Sequence, residues 1–104
     1  MMTDFCNLQI NAPTREEIEK IADMLIRKKL MAGCLIIKAP SKYWWDGKIV
    51  NRDYYHIRGF SMMEKKNEII REVKKLHSDK CPVIAFINVD GNEEFLNWIK
   101  EYVE

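Results

Sequence analysis

The sequence lacks the features by which membrane, secreted and nucleic-acid-binding proteins are commonly recognised. Its apolar runs are far shorter than the ~18 residues of a membrane span. The N-terminus has neither the basic segment nor the apolar stretch of a signal peptide. The 17 Lys and Arg residues nearly balance the 16 Asp and Glu residues, which argues against a broad basic surface for nucleic acid or anionic lipid. We expect a cytosolic protein that binds neither nucleic acid nor membrane.

Cysteine is scarce, and its spacing excludes the common cysteine motifs. The three residues are Cys6, Cys34 and Cys81. Their number is odd and they lie far apart, so the sequence contains no disulfide framework and no C-x-x-C motif. The simplest interpretation is three buried, reduced thiols, because free cysteine is among the most buried residue types.

The most informative stretch is residues 43–49, Tyr-Trp-Trp-Asp-Gly-Lys-Ile. Asp-Gly between aromatic and β-branched residues is typical of a type I′ turn, because both central residues of that turn need a positive φ. The sequence therefore predicts one long hairpin over residues 34–60, with the Asp-Gly pair at its tip. Pro40 lacks a backbone donor and Gly59 lacks a side chain, so we expect a bulge or bend near each.

Two helices are predicted by capping boxes followed by apolar stripes. Thr14 with Glu17 is expected to open the first helix, and Ser61 with Glu64 the second. In each, apolar residues recur at the i, i+3, i+4 and i+7 spacing that gives a helix one buried face. The second helix is expected to end near His77.

The outer strands and a last helix follow from apolar patterning. Residues 5–11 alternate with period two, which predicts a strand with one buried face. Residues 82–87 are apolar on both faces, which predicts a strand that is central or covered twice. Asp90 and Gly91 then turn the chain into a final helix, whose apolar stripe includes Trp98.

This order of elements predicts an α+β fold of the ferredoxin-like (split βαβ) type, with a long central hairpin and a C-terminal helix, in one domain over residues 1–104. Two helices cover one face of the sheet, and the short last helix covers only part of the other. Tyr43, Trp44 and Trp45 make the hairpin too apolar for water, so we expect self-association with these three residues in the interface.

No enzyme signature accompanies this plan. Acylphosphatase-like enzymes of the same plan need a Gly-rich, anion-cradling loop before the first helix, and residues 11–15 contain no glycine. No nucleophile with its base, and no pair of catalytic carboxylates, can be argued from the sequence. We therefore expect a protein without enzymatic activity.

Several short motifs follow one another along nearly the whole chain. They are Leu30-Met31-Ala32, the 43–49 stretch, Leu76-His77, Pro82-Val83-Ile84, Asp90-Gly91-Asn92 and Trp98-Ile99. In this order and spacing they resemble the CutA family of divalent-cation tolerance proteins. The resemblance implies a ferredoxin-like fold, a tight homotrimer built by the long hairpin, and an architecture related to the PII signalling proteins. It also implies a role in tolerance to copper and other divalent metals.

The sequence departs from the family pattern at polar positions. The family's cysteine at the start of the second strand is replaced by Gly33, and Cys34 follows one residue later, where it faces the other side of the strand. Tyr54 stands where the family carries a glutamate, and residues 60–61 replace a Lys-Thr pair. Residues 78–79 are Ser-Asp where the family has Pro-Tyr. The polar residues of the inter-subunit cleft are therefore expected to be mostly lost.

Among the residues that match the family pattern, His77 is the main candidate for a functional role. As a structural residue near a helix C-terminus it needs no ligand, because the helix dipole favours its imidazolium form. Alternatively it binds Cu(I), Cu(II) or Zn(II) together with Cys34 and Cys81, supported by Asp79, because these metals accept thiolate and imidazole ligands. No cofactor is certain, and copper or another divalent cation is the candidate ligand.

Other residues also have a structural and a functional interpretation. His56 is expected to be structural, and Met62 and Met63 are expected to fill the core or an interface rather than to ligate a metal. Tyr54 and Tyr55 could stack a nucleobase, but the even charge favours packing. Two classes of function remain open. One is a metal-tolerance protein, and the other is a PII-like trimeric regulatory scaffold that binds a small molecule or a protein partner in its clefts.

Overall fold

The computed structural model describes residues 3–104 and confirms the predicted order of elements. They are β1 (Phe5–Ala12), α1 (Arg15–Arg27), β2 (Gly33–Trp45), β3 (Lys48–Met62), a 3-10 turn (Met63–Lys65), α2 (Lys66–Leu76), β4 (Ile84–Asn88) and α3 (Glu93–Tyr102). The strands form one antiparallel sheet in the order β2-β3-β1-β4. The result is a ferredoxin-like α+β fold with an added C-terminal helix. None of the helices formed by residues 3–104 is long and apolar enough to cross a bilayer.

The core lies between one face of the sheet and the helices α1 and α2. Every second side chain of β1 is buried there, as its period-two pattern predicted: Cys6, Leu8, Ile10 and Ala12. The apolar stripes of the two helices close over this layer, with Ile21 of α1 and Ile69 of α2 fully buried. Burying one large aliphatic side chain stabilises the fold by about 1.5–3 kcal/mol. This layer is therefore the main favourable contribution to folding.

The two predicted capping boxes have different outcomes. The first is confirmed at its Thr side, because the Glu17 N–H donates to Thr14 Oγ1 at 3.2 Å. The second is wrong, because Ser61 lies inside β3, where its buried hydroxyl donates to the Leu30 carbonyl at 2.5 Å. Pairing with β1 keeps this segment extended, so α2 begins only after the 3-10 turn that contains Glu64.

The hairpin of β2 and β3 has the predicted turn but not the predicted irregularities. Asp46 and Gly47 have φ values of +51° and +74°, as a type I′ turn requires. The register is continuous along all of β2, with Pro40 opposite Asp53, so the bulge expected near Pro40 is wrong. β2 is an edge strand and pairs only with β3. A proline whose nitrogen points away from β3 therefore removes no hydrogen bond from the ladder.

Gly59 does not form a bulge either. It pairs in register with Leu8 on one side and Cys34 on the other. A Cβ atom at this position would lie 2.3 Å from Sδ of Met31, which is itself buried. The Met31 side chain occupies the space that a side chain at position 59 would need, and this contact, not a bend of the strand, requires glycine there.

The second face of the sheet is only partly covered. At one end α3 packs on Phe60, whose ring lies 5.4 Å from that of Phe95 and 6.0 Å from that of Trp98, centroid to centroid. Elsewhere this face is open, and Leu35 and Ile37 on β2 are about half exposed. The expectation that β4 is central is wrong, because β1 places it at the sheet edge with its second face uncovered.

Part of the hairpin extends beyond the sheet. β1 pairs with β3 only as far as Tyr55, whereas the β2–β3 ladder continues to the turn. We call residues 39–54 the arm. It is a two-stranded ribbon, and Trp44 and Ile49, directly opposite each other on it, are 73% and 60% exposed. The arm presents apolar surface that the rest of the described chain does not cover.

An ion cluster joins α1 to α2 at the edge of the core. The Glu72 side chain is only 8% exposed, and its carboxylate accepts from Nζ of Lys28, which directly follows α1, and from Nζ of Lys75 on α2, at 2.7 Å. These two hydrogen bonds lower the pKa of Glu72 to about 2. The carboxylate therefore favours the folded state as long as it is ionised.

This pKa shift predicts a specific loss of stability in acid. The ordinary pKa is 4.5 and the folded value is about 2, so the stabilising contribution is complete above about pH 4.5 and is lost as the pH falls towards 2. In denaturant unfolding, the stability difference between the native protein and Glu72→Gln should be constant at neutral pH and shrink across this window. Glu68→Gln, which removes a partly exposed carboxylate of the same helix, is the control. A difference that does not vary with pH would contradict the assignment.

The contact at Gly59 predicts a strong coupling with Met31. Gly59→Ala should destabilise the protein by about 1–3 kcal/mol, because the added methyl group overlaps the buried thioether. In a Met31→Ala background the same substitution should cost much less, since the space is then free. Denaturant unfolding of the four proteins measures this coupling. An equal cost of Gly59→Ala in both backgrounds would show that the contact does not constrain the position.

Candidate functional site

A large concave surface of the described chain lies beside the arm. It is a groove of about 750 Å³ between the arm and the loop that joins α2 to β4. The strand period places Tyr43, Trp45, Arg52 and Tyr54 on the same side of the arm, facing the groove. The loop contributes residues 78–81. The groove is therefore built by two segments that are distant in sequence.

The floor of the groove is aromatic and is tied to the loop by one hydrogen bond. The rings of Tyr43 and Tyr54 meet edge to face, with centroids 5.8 Å apart. The Tyr54 hydroxyl donates to Asp79 Oδ2 at 3.1 Å. Partial burial, together with the neighbouring Tyr43 and Asp79, raises the pKa of Tyr54, so its hydroxyl remains a donor. Arg52 lies over the Tyr54 ring, with its guanidinium carbon 5.1 Å from the ring centroid.

His77 follows α2 and is held by protein atoms at both ring nitrogens. Its side chain is 1% exposed. Nε2 lies 2.6 Å from the Asn11 carbonyl, to which it donates, and Nδ1 accepts from the Asp79 N–H at 3.1 Å. These contacts assign a neutral tautomer with its proton on Nε2. His77 thus fastens the loop to the end of β1, and a metal ion would have to displace one of these contacts.

A carboxylate and a second histidine extend this network. Glu17 Oε2 accepts from the Ser78 N–H at 3.0 Å and lies 3.5 Å from His77 Nδ1. The Asn11 side-chain oxygen lies 2.7 Å from Nδ1 of His56. Partial burial, with a smaller effect of Arg58, lowers the pKa of His56. The structural interpretation of His56 agrees with this hydrogen bond.

The predicted metal ligands are not brought together within one chain. Cys34 pairs with Gly59 and lies beside the core, where burial and Asp23 raise its thiol pKa. Asn11, which His77 contacts, pairs with β3 three residues away from the pair that Cys34 forms. This separation is about 10 Å along the strands. Cys81 is exposed in the groove. Among residues 3–104 no three His, Cys, Asp or Glu side chains are arranged to hold a metal ion. A site that several subunits share stays a prediction.

The thiols differ more than the sequence suggested. The interpretation of three buried thiols holds for Cys6, whose pKa burial raises to about 11. It is wrong for Cys34, which is half-buried because β2 is an edge strand, and for Cys81, which lies in an exposed loop. Met62 pairs with Phe5 at the opposite end of β1 from the contact of His77, so the methionines are not beside that residue.

The predicted interface residues all lie on the arm, but not on one side of it. Tyr43 faces the groove, where its ring meets Tyr54. Trp45 points to the same side and is 48% exposed, whereas the alternation of the strand turns Trp44 to the opposite side. The arm therefore offers aromatic surface on both sides.

Sequence reasoning did not identify three residues that shape this region. The sequence predicts Asn11 only as the end of a strand and start of a loop, Glu17 only as part of a capping box, and Arg52 only as part of the hairpin. Period-two alternation could have placed Arg52 on the side of Tyr54. No sequence signal could have found Asn11, because its role depends on β1, β3 and α2 meeting at one point.

The fold and the arm define a small ferredoxin-like protein with an extended hairpin, and the comparisons place it in a family. Residues 6–102 match the family described as CutA1 divalent ion tolerance protein. The divalent-cation tolerance protein CutA of Archaeoglobus fulgidus is 41% identical over 98 residues, which cover 93% of this chain and 96% of the relative. The chain thus belongs to the CutA family.

Other comparisons agree with this assignment. The Thermotoga maritima divalent-cation tolerance protein CutA is 32% identical over 92 residues, covering 88% of this chain and 91% of the relative. The solved Archaeoglobus fulgidus structure has a TM-score of 0.92 at 40% identity and covers 96% of this chain and 99% of its own. CutA1 from Oryza sativa, with a TM-score of 0.93 at 22% identity and coverage of 99% and 96%, supports the fold alone.

One departure from the family pattern has a structural counterpart. The resemblance gives the family a glutamate at position 54 and a tyrosine at position 79, and this chain has Tyr54 and Asp79. The acid and the tyrosine have exchanged positions, and the two side chains are hydrogen-bonded. In this chain a polar contact therefore joins positions 54 and 79.

Proposed function

We propose that this protein is a homotrimeric, non-catalytic CutA protein that contributes to tolerance of divalent metal ions, copper in particular. Membership of the CutA family is the observation that carries the proposal, since the family and its relatives are described by ion tolerance and not by a reaction. The trimer, the preference for copper and the lack of enzymatic activity are the proposed parts.

The exposed arm supports self-association. Trp44 and Ile49 form an exposed apolar pair on one side of it, and Trp45 is half exposed on the other. Burying one such side chain stabilises an assembly by about 1.5–3 kcal/mol, which favours packing against another copy of the chain. The edge strands β2 and β4 also present unpaired backbone groups that a neighbouring subunit can bond.

The metal proposal places the ligands across a subunit boundary. Cys81 is an exposed thiol in the groove and belongs to the loop that His77 fastens. Thiolate and imidazole ligands suit Cu(I), and Zn(II) takes the same pair in tetrahedral sites. Because one chain alone does not bring Cys34, Cys81 and His77 together, the proposed ion binds only in the assembled protein.

The groove favours a second candidate function, a PII-like regulatory scaffold that binds a small molecule. Its volume of about 750 Å³ falls in the range of about 300–1,000 Å³ found for small-molecule sites. Its aromatic floor and the loop beside it are joined by the bond between Tyr54 and Asp79. A bound molecule would therefore contact both the arm and the loop.

We propose the cytosol as the compartment, because an exposed free thiol such as Cys81 persists where disulfides are kept reduced. The Archaeoglobus fulgidus protein of known structure is described as periplasmic, which makes the compartment worth testing directly. Cell fractionation with an antibody against the native protein should recover it in the cytosolic fraction. Recovery outside the cytosol would overturn this part of the proposal.

The arm predicts a trimer that depends on its tryptophans. Light scattering of the native protein at micromolar concentration should give a mass three times the 12.4 kDa of one chain. Replacing Trp44 and Trp45 together by Ser should give a destabilised monomer or an aggregate. Ile26→Ser, at an exposed apolar position on α1, is the matched control and should remain trimeric. A native mass near 12.4 kDa would exclude the trimer.

The proposed metal site predicts that two residues control affinity. Calorimetric titration of the reduced protein with Cu(I), Cu(II) and Zn(II) should give saturable binding. Cys81→Ser and His77→Gln should each weaken binding of the preferred ion at least tenfold, about 1.4 kcal/mol. The glutamine amide can still donate to the Asn11 carbonyl, and His56→Gln is the control for a histidine outside the site. Native affinity in both variants would remove these residues from the site.

A further inference from the structure

We infer that the groove beside the arm binds a small aromatic molecule that carries a carboxylate or phosphate group. The inference rests on the second candidate function, the small-molecule scaffold, and names the class of its ligand. It does not depend on the metal proposal.

The charges that line the groove favour an anion. Arg52 on the arm and Lys80 in the loop line it, whereas the alternation of β2 turns the Lys42 side chain to the side of Trp44, and Asp79 is the only acidic residue of the described lining. The Asp79 carboxylate already accepts a hydrogen bond from Tyr54. Within residues 3–104, the ion pairs shorter than 4 Å involve neither of these two cations. Two cations therefore face the groove on a chain whose net charge is only +1.

The aromatic side chains favour a flat ligand. Tyr43 and Tyr54 form the floor, and Trp45 stands on the same side of the arm with about half of its surface exposed. Rings of this kind bind another ring by offset or edge-to-face stacking. A volume of about 750 Å³ also exceeds what a bare inorganic anion would fill. The occupant therefore needs both a ring and an acidic group.

Arg52 is placed to bind the acidic group. Its guanidinium lies over the Tyr54 ring, which limits the orientations of the fork without using its donors. The guanidinium fork matches the two oxygens of a carboxylate or phosphate, and such charge-assisted pairs are stronger than neutral hydrogen bonds. Ser41 supports this position, because its hydroxyl donates to the Arg52 carbonyl at 2.7 Å.

The test is a titration of the native, assembled protein, followed by NMR at the indole N–H of Trp45. The probes are 4-hydroxybenzoate and phenyl phosphate, which separate the carboxylate from the phosphate. Benzyl alcohol supplies a ring without the charge, and inorganic phosphate supplies the charge without a ring. At least one aromatic anion should give a saturable shift at Trp45, with an affinity at least tenfold above that of both controls.

Matched variants then identify the residue responsible. Arg52→Gln should weaken binding of the aromatic anion at least tenfold, and Arg52→Lys should fall between it and the native protein because it keeps the charge but loses the fork. Arg58→Gln is the control, since Arg58 is an exposed arginine on the same face of β3 and lies outside the groove. Circular dichroism should show that all three variants remain folded.

Several outcomes would overturn the inference. They are no saturable shift with either aromatic anion, an equal loss in Arg52→Gln and Arg58→Gln, or a response as strong with benzyl alcohol. A shift confined to Trp98, which lies on α3 and packs on Phe60 away from the arm, would place a ligand elsewhere. That last result would refute this groove while leaving the small-molecule scaffold as a candidate function.

Discussion

The difference in length between the paired strands is the constraint on which the rest of the structure depends. β3 pairs with β2 along the whole of β2, but β1 reaches only as far as Tyr55. The remaining part of the β2–β3 pair has no third strand beside it, so it extends beyond the sheet as the arm. With no helix beneath it, one side keeps Trp44 exposed and the other becomes the groove wall. The proposed self-association and the proposed ligand binding therefore use the same apolar ribbon.

The loop after α2 links this ribbon to the core. His77 holds it to the end of β1, and Asp79 connects it to Tyr54 on the arm. In the family pattern positions 54 and 79 carry an acid and a tyrosine, and here the two residue types are exchanged. A tyrosine hydroxyl can donate to a carboxylate whichever of the two positions carries the tyrosine. In this chain the bond between Tyr54 and Asp79 anchors the arm to the loop, and the negative charge lies on the loop.

Local signals in the sequence predicted most of the fold, and long-range packing explains the errors. The alternation in β1 and the Asp46–Gly47 turn depend only on neighbouring residues, and both were predicted correctly. Ser61 has the local signature of a helix cap, but pairing with β1 extends the strand through it. Gly59 suggested a bulge, whereas Met31 decides its role. The groove was not predicted, because it depends on a loop and an arm whose proximity no local pattern encodes.

The place of β4 in the sheet has a consequence for the order of folding. The arm and its turn close between neighbours in the chain, and hairpins of this kind form in about 1–10 μs. β4 instead pairs with β1 across most of the chain, and the Asn88 amide donates to the Thr3 carbonyl 85 residues earlier. The entropy of closing so long a loop makes this the most costly contact to form. We therefore expect the pairing of β4 with β1 to be the last strand pairing to form.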